Sequence, residues 1–287
     1  MTTEASYAFC ERVARAQAKN FYYSFLLLQP RQRRAMCAIY AFMRYCDDLS
    51  DGEGISDRAA AISRWREDLE AALGGRTPDH PLWPAFVDTV TSFQIPHQYF
   101  LEMIEGVSSD LEPRHIRTFE ELYDYCYHVA SVVGLTIIHI FGFDSPEALK
   151  LAEKCGVAFQ LTNILRDVRE DAENNRIYLP EEDMARFGVE PSELRAELRA
   201  ELRSANQSTG LRRLLEFEAE RARQYYRESA PLVGMVHARS RASLRALIGI
   251  YARLLDRIAD SGYDVMARRI RVPTPEKIWI LARSLYL

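Results

Sequence analysis

Two stretches of this chain set carboxylates in line along one stripe of an otherwise apolar helix, and few folds can accommodate that. Gln160, Asn163, Asp167 and Asp171 recur at steps of 3, 4 and 4, which at about 100° per residue puts them on one narrow line. Leu161, Ile164, Leu165 and Val168 lie between them. In a second line, Tyr40, Arg44, Asp47 and Asp51 recur at steps of 4, 3 and 4, with Asp48 beside them. Its background is nearly all apolar, from Ala35, Met36, Cys37, Ala38 and Ile39 to Ala41, Phe42 and Met43. Like charges four apart repel on a helix and unpaired buried carboxylates are costly, so a cation is expected between them. Two such helices face to face make a cage of hard oxygen donors, suited to Mg²⁺ and a phosphate-bearing substrate.

The rest of the chain reads as helices. Glu4 to Lys19 is amphipathic, and Phe21 to Leu28 is an aromatic, apolar segment closed by Pro30. The first acidic helix is expected to stop at the breaker pair Gly52 and Gly54, with Asp57 capping a helix through Leu73. Further helices are predicted over 82–93, 96–109, 119–143, 146–171, 181–187, 191–202, 211–229, 231–260 and 275–286. Polar connections lie at 110–117, 172–180 and 204–210. No window alternates as a strand would. The expected fold is all-α: a single domain over residues 1–287, a helical bundle around a central apolar cavity.

Composition removes several function classes. A net charge of −4 argues against nucleic-acid binding, which leans on clustered positive charge. The basic runs Arg31–Arg34 and Arg268–Arg271 read, taken alone, as solvated ends. Five scattered cysteines without C-x-x-C spacing read as reduced packing residues, which argues against zinc and for a cytoplasmic setting. Charges from Glu4 to Lys19 leave no room for a signal-peptide core there. The apolar run Val129–Phe143 is shorter than the ~20 residues of a membrane span and is read as a buried helix, which leaves peripheral membrane contact open.

Four segments carry a family resemblance. Asp47-Asp-Leu-Ser-Asp51, and Asn163-Ile-Leu-Arg-Asp-Val-Arg-Glu-Asp171 followed by Arg176-Ile-Tyr-Leu-Pro180, resemble the two aspartate motifs of the squalene/phytoene synthase family. Phe21-Tyr-Tyr-Ser-Phe25 and Tyr125-Cys-Tyr-His-Val-Ala-Ser-Val-Val-Gly134 resemble two more of its segments, in the expected order. The resemblance implies a class I isoprenoid synthase-like bundle and a Mg²⁺-dependent prenyltransferase, Mn²⁺ being an acceptable substitute. It implies that Asp47, Asp51, Asp167 and Asp171 hold the metal, with Asn163 as a further ligand to metal or phosphate, and that Arg44 and Arg269 touch diphosphate. Arg166 either binds diphosphate or orients an aspartate, and Gln160 is either a cavity polar group or a core-satisfied amide. Tyr40, Tyr125 and Tyr251 are raised above the other tyrosines as stabilisers of a carbocation. Phe21, Phe25, Val129, Ala130 and Gly134 would shape the prenyl tunnel, although small residues such as Ala130 and Gly134 also serve close helix packing. Asp48 reads as a neighbour of the metal site, Glu170 as solvated, and His128 as a satisfied helix histidine. Asn174 and Asn175 depart from the commoner Arg-Gly after the second motif, which touches only the shape of the loop there.

The implied reaction is head-to-head condensation of two prenyl diphosphates. The sequence reading leads with farnesyl diphosphate and a presqualene diphosphate or squalene product, because Val129–Phe143 looks closer to bacterial hopanoid-pathway members. NADPH would be needed only if the product is squalene, and no G-x-G-x-x-G follows a strand to hold it. Geranylgeranyl diphosphate to phytoene is the alternative. Head-to-tail elongation or terpene cyclisation would use a similar cage but not the Phe21 and Tyr125 segments. A non-catalytic assembly factor of the same fold has no need of intact aspartate pairs. A di-iron bundle would need two Glu-x-x-His motifs, and Glu112-Pro-Arg-His115 is the lone candidate. Oligomeric state is not legible.

Overall fold

The computed structural model describes residues 1–51, 55–111, 115–196 and 209–286, and every regular element among them is helical. In chain order these are α1 (Thr3–Gln17), α2 (Lys19–Phe25), α3 (Pro30–Asp51), α4 (Arg58–Leu73), α5 (Trp83–Ser92), α6 (His97–Ser109) and α7 (Phe119–Cys126). A π-helical turn (Tyr127–Ser131) joins α7 to α8 (Val132–Phe141). There follow α9 (Glu147–Glu173), α10 (Glu181–Phe187), α11 (Pro191–Ala196), α12 (Thr209–Ser229), α13 (Leu232–Met235), α14 (Ala238–Asp260) and α15 (Thr274–Tyr286).

Local chemistry sets several of these ends. The Asp57 carboxylate accepts from Ala60 N at 2.9 Å, capping α4 as its sequence predicts. Thr118 caps α7 by accepting from Glu121 N, and Glu121 reaches back towards Arg117 N.

Four expected boundaries shift. The first helix breaks at Ala18, and most of the aromatic segment after it is helical, as α2. The predicted 119–143 helix is interrupted by the π turn, which adds a residue to one turn and re-aims the side chains around it. The predicted 231–260 helix is two helices, because Val236 is extended and pairs with Phe143 while His237 N donates to Gly142 O at 2.8 Å. Thr209 and Gly210, expected in a loop, begin α12. The breaker pair at 52–54, the 197–202 end of the predicted 191–202 helix, residues 204–208 and Glu112 of the Glu-x-x-His candidate lie outside the described residues.

The core has two apolar clusters, and α9 belongs to both. Ala148, Ala152 and Cys155 of α9 join a cluster centred on stacked rings, in which Phe42 lies 4.7 Å from Phe86 and 5.8 Å from Trp65. One turn on, Val157, Leu161, Ile164, Leu165 and Val168 join a second cluster with Leu214 and Leu215 of α12 and Leu254 and Ile258 of α14. A helix used on nearly every side must be apolar on nearly every side, as α9 is around Cys155–Phe159, whereas its first turns keep one charged outer face with Glu147, Lys150 and Lys154 ion-paired. Helix 119–141 is long and apolar enough to cross a membrane by composition, but over half of that window is buried against its neighbours. It is a core helix here, as its sequence suggested. All five cysteines are buried free thiols.

Candidate active site

A cavity of about 330 Å³ opens where the two clusters meet. Its walls come from α2 (Phe21), α3 (Met43, Cys46, Asp47, Ser50), α6 (Met103, Val107), the α7–α8 helix, α9 and α14 (Leu244, Leu247, Tyr251). The α7–α8 wall carries Tyr125, His128, Val129, Ala130, Val133, Gly134, Ile137 and Ile138. From α9 come Ala152, Cys155, Gly156, Phe159, Gln160 and Asn163. The wall is mostly apolar, and its polar groups are Asp47, Ser50, Asp110, Tyr125, His128, Gln160, Asn163 and Tyr251. That is the make-up of a site for a long apolar chain with a polar head.

Close helix approach makes this wall possible. A Cβ added to Gly156 would lie 2.5 Å from Ser131 Cα, so α9 and the π turn touch backbone to backbone. At Gly134 it would lie 3.1 Å from the Ala152 carbonyl oxygen. Gly134 therefore does both things considered for it, lining the cavity and letting α8 meet α9.

Of the sequence-predicted residues, Phe21, Asp47, Tyr125, Val129, Ala130, Gly134, Gln160, Asn163 and Tyr251 line this cavity. Tyr251 is fully enclosed: its ring stacks on Phe159 at 4.4 Å and leans on Phe21 at 5.7 Å. Burial raises its phenol, with Arg166 opposing the rise. Phe25 does not line the cavity; it is buried behind the wall against Tyr22. Tyr40 also stands off the cavity lining, one turn before Arg44, its phenol pushed up to about 12 by burial.

Asp167 and Asp171 continue the stripe of α9 beyond the lining residues. Arg166 grips Asp167 in a two-pronged pair, and Arg269 reaches Asp167 at 2.9 Å and Glu170 at 2.5 Å. Glu170 is thus exposed and ion-paired rather than merely solvated. Arg269, from a run that read as solvated, folds back onto the second acidic motif. Burial pushes the Asp171 carboxyl up to about 8, helped by the charge of Asp167 and opposed by Arg176. Arg44 pairs with Asp48. Asp51 closes α3, and its side chain lies outside the described set.

A feature that sequence reading missed sits at Asp110. Its carboxylate accepts from Tyr125 Oη at 3.2 Å and from Tyr178 Oη at 3.1 Å, and its carbonyl accepts from Arg176 at 3.2 Å. The two tyrosine rings stack at 4.7 Å. This ties the loop after α9 to the end of α6, beside the cavity. The signal was faint, because one aspartate at the head of a polar connection looks like a helix end. His128 also lines the cavity, yet its Nδ1 lies 2.9 Å from the Asp124 carbonyl oxygen, satisfied as expected.

The donors suit a divalent cation carrying an anion. Among the described residues the buried Asn163 Oδ1 and Arg44 Nε have no hydrogen-bond partner, and burial disfavours the ionised form of the half-buried Asp171 carboxyl, which a bound cation would restore. Among the described residues no three His, Cys, Asp or Glu side chains already converge as a closed cage. The set therefore fits a metal that arrives with a ligand supplying the remaining oxygens.

Comparison with known proteins agrees with this geometry. The family model for squalene/phytoene synthase matches residues 14–276. A 15-cis-phytoene synthase from Synechocystis sp. is 36% identical, over 98% of this chain and 84% of the relative. Phytoene synthase 2 of Solanum lycopersicum is 36% identical, over 98% of this chain and 91% of the relative. A solved dehydrosqualene synthase superposes with a TM-score of 0.89 at 30% identity, covering 99% of this chain and 96% of that one. Squalene synthase HpnC from Alicyclobacillus acidocaldarius superposes at 0.83 with 29% identity, covering 91% and 95%.

Proposed function

The chain belongs to the squalene/phytoene synthase family, prenyltransferases that condense prenyl diphosphates head to head, and on that premise we propose that it joins two molecules of geranylgeranyl diphosphate into phytoene. The observation that carries this choice is the identity of the curated relatives, which are phytoene synthases matching nearly the whole chain at about 36% identity. It reverses the preference for farnesyl diphosphate drawn from Val129–Phe143 alone. Farnesyl diphosphate remains the second reading, favoured by the backbone match to a dehydrosqualene synthase. On that reading the product is presqualene diphosphate or a C30 hydrocarbon, and NADPH enters only for squalene.

Each step needs a charge, an orientation or a dry wall. Asp47, Asp51, Asp167, Asp171 and Asn163 would hold the Mg²⁺ that family members use. That metal would supply electrostatic neutralisation of the diphosphates. Arg44, Arg166 and Arg269 would exchange their present carboxylate partners for diphosphate oxygens, which arginine grips bidentately. The C1–O bond of one substrate then breaks and diphosphate leaves with the electron pair. The C2–C3 double bond of the second substrate attacks the resulting allylic cation, and proton loss closes a cyclopropylcarbinyl diphosphate. A second ionisation, rearrangement and proton loss give the hydrocarbon. Tyr251, between Phe159 and Phe21, faces the cations with aromatic density, and the apolar wall keeps water from trapping them. Tyr125, anchored on Asp110, lines the cavity, and Tyr40 lies on the first aspartate helix itself, off the lining.

The test is a product assay with Mg²⁺ on geranylgeranyl and farnesyl diphosphate separately, with and without NADPH. Phytoene from the C20 substrate, in excess over any C30 product, supports the proposal. A C30 product alone moves the assignment to the second reading, and its dependence on NADPH tells where that reaction stops. No product from either substrate points to a non-catalytic relative.

A further inference from the structure

Large apolar side chains left exposed are few among the described residues, and they are grouped. Apart from Met1 they are Leu26, just past α2, and Ile278, Trp279, Leu285 and Tyr286 on α15. The two elements touch, with the Lys277 ammonium 5.4 Å from the centre of the Tyr23 ring. At about 100° per residue, Ile278, Trp279, Ala282, Leu285 and Tyr286 occupy one arc of roughly 120° on α15. The opposite side faces the bundle. Glu276 accepts from Arg253 and Arg257 of α14 at 2.8 and 2.7 Å, and Ile280 packs by Gly249. The helix is therefore docked on one side and bare on the other.

Charge distinguishes what could cover it. Lys277 and Arg283 lie on α15 and Arg271 just before it, and none of the three is ion-paired among the described residues. Partial burial, and then the like charge of Arg271, hold the Lys277 ammonium below its ordinary range. The one acid of α15 is turned inward. A net-negative chain thus carries at this corner an apolar arc bordered by cations, with Trp279 and Tyr286 upon it and the Arg283 guanidinium 5.3 Å over the Trp279 ring. Indole and phenol rings flanked by lysine and arginine suit the headgroup layer of a bilayer. A second copy docked about a two-fold axis would set these same cations against each other.

We propose that α15 and the adjoining tip of α2 form a docking surface for a bilayer containing anionic lipid. Ile278, Leu285 and Leu26 enter the acyl boundary, Trp279 and Tyr286 lie at headgroup level, and Lys277, Arg271 and Arg283 meet lipid phosphates. Because α2 also supplies Phe21 to the cavity, the docked surface and the cavity wall share an element. The inference does not depend on which prenyl chain the enzyme accepts.

The test is flotation of the full chain with vesicles of phosphatidylcholine alone or with phosphatidylglycerol added, read together with tryptophan fluorescence. Trp65 and Trp83 are buried, so a change on binding reports Trp279. The expected result is flotation with the anionic vesicles, a blue-shifted emission quenched by brominated lipid, and loss of binding at high salt. Ile278→Asp with Leu285→Asp should weaken vesicle binding at least tenfold while turnover of detergent-dispersed substrate is unchanged. Trp279→Phe should abolish the fluorescence change but keep flotation. Failure to float with either vesicle would overturn the proposal. So would a Trp279 shift that needs no lipid, grows with protein concentration and accompanies a dimer in sedimentation, since the arc would then belong to a second copy.

Discussion

Asp171 concentrates the account at the scale of single residues. Its carboxyl is held near 8 in the metal-free protein, mainly by burial and next by Asp167, so a metal that it ligates at neutral pH displaces a proton. A folded-state pKa above the unfolded value means a stabilising contribution that is complete below about 4 and lost as pH rises through about 8. The metal-free protein should therefore melt at a lower temperature at about pH 9 than at about pH 6, and Asp171→Asn should flatten that difference. Thermal melts in EDTA decide it; an unchanged slope in the variant would show that another group carries the dependence. Asp47→Asn and Asp171→Asn should each lower turnover by roughly 10³-fold, about 4 kcal/mol of barrier, with the helical circular dichroism intact. Activity within tenfold of wild type would remove those residues from the metal site. Spacing made these aspartates legible because helical period is fixed by backbone geometry. It could not reveal that Arg269 pairs with Asp167, or that Tyr125 and Tyr178 share Asp110, since those partners are brought together by tertiary folding alone.

At the scale of elements, the contact between α9 and the π turn decides the cavity's shape. Gly156→Ala would force a methyl group to within 2.5 Å of Ser131 Cα, with backbone rather than a mobile side chain in the way. A loss of about 1–3 kcal/mol follows, seen as a melting temperature lower by several degrees. A melting temperature equal to wild type would mean that the two helices separate freely, contrary to the packing described. Helix 119–141 was readable from its apolar run, but not its π turn, because one extra residue in a turn leaves the hydrophobic pattern nearly unchanged. The break between α13 and α14 was hidden for a related reason. Val236 and His237 suit a helix, and it is pairing with residues 142 and 143 that draws them out of one.

Over the whole molecule, two apolar clusters are joined through α9 and separated by a cavity, and the all-α class followed from periodicity that both clusters impose. A prenyl chain seated between them should bind the folded state alone. Saturation at about 100 times Kd then adds about 2.7 kcal/mol. A non-hydrolysable prenyl thiodiphosphate with Mg²⁺ should raise the melting temperature accordingly, and inorganic diphosphate with Mg²⁺ should do less. Equal shifts would mean that the apolar cavity contributes nothing to binding. What folding physics could not supply is the length of that chain, because an apolar wall accepts methylenes with little discrimination. The most direct test of the central claim is the carbon skeleton made by the intact enzyme from a single prenyl diphosphate with Mg²⁺, beside the Asp47→Asn/Asp171→Asn double variant. The wild type should give a head-to-head 1–1′ linked product, or its cyclopropyl precursor, and an equally folded double variant none. A head-to-tail diphosphate, or the same product from both proteins, would contradict it.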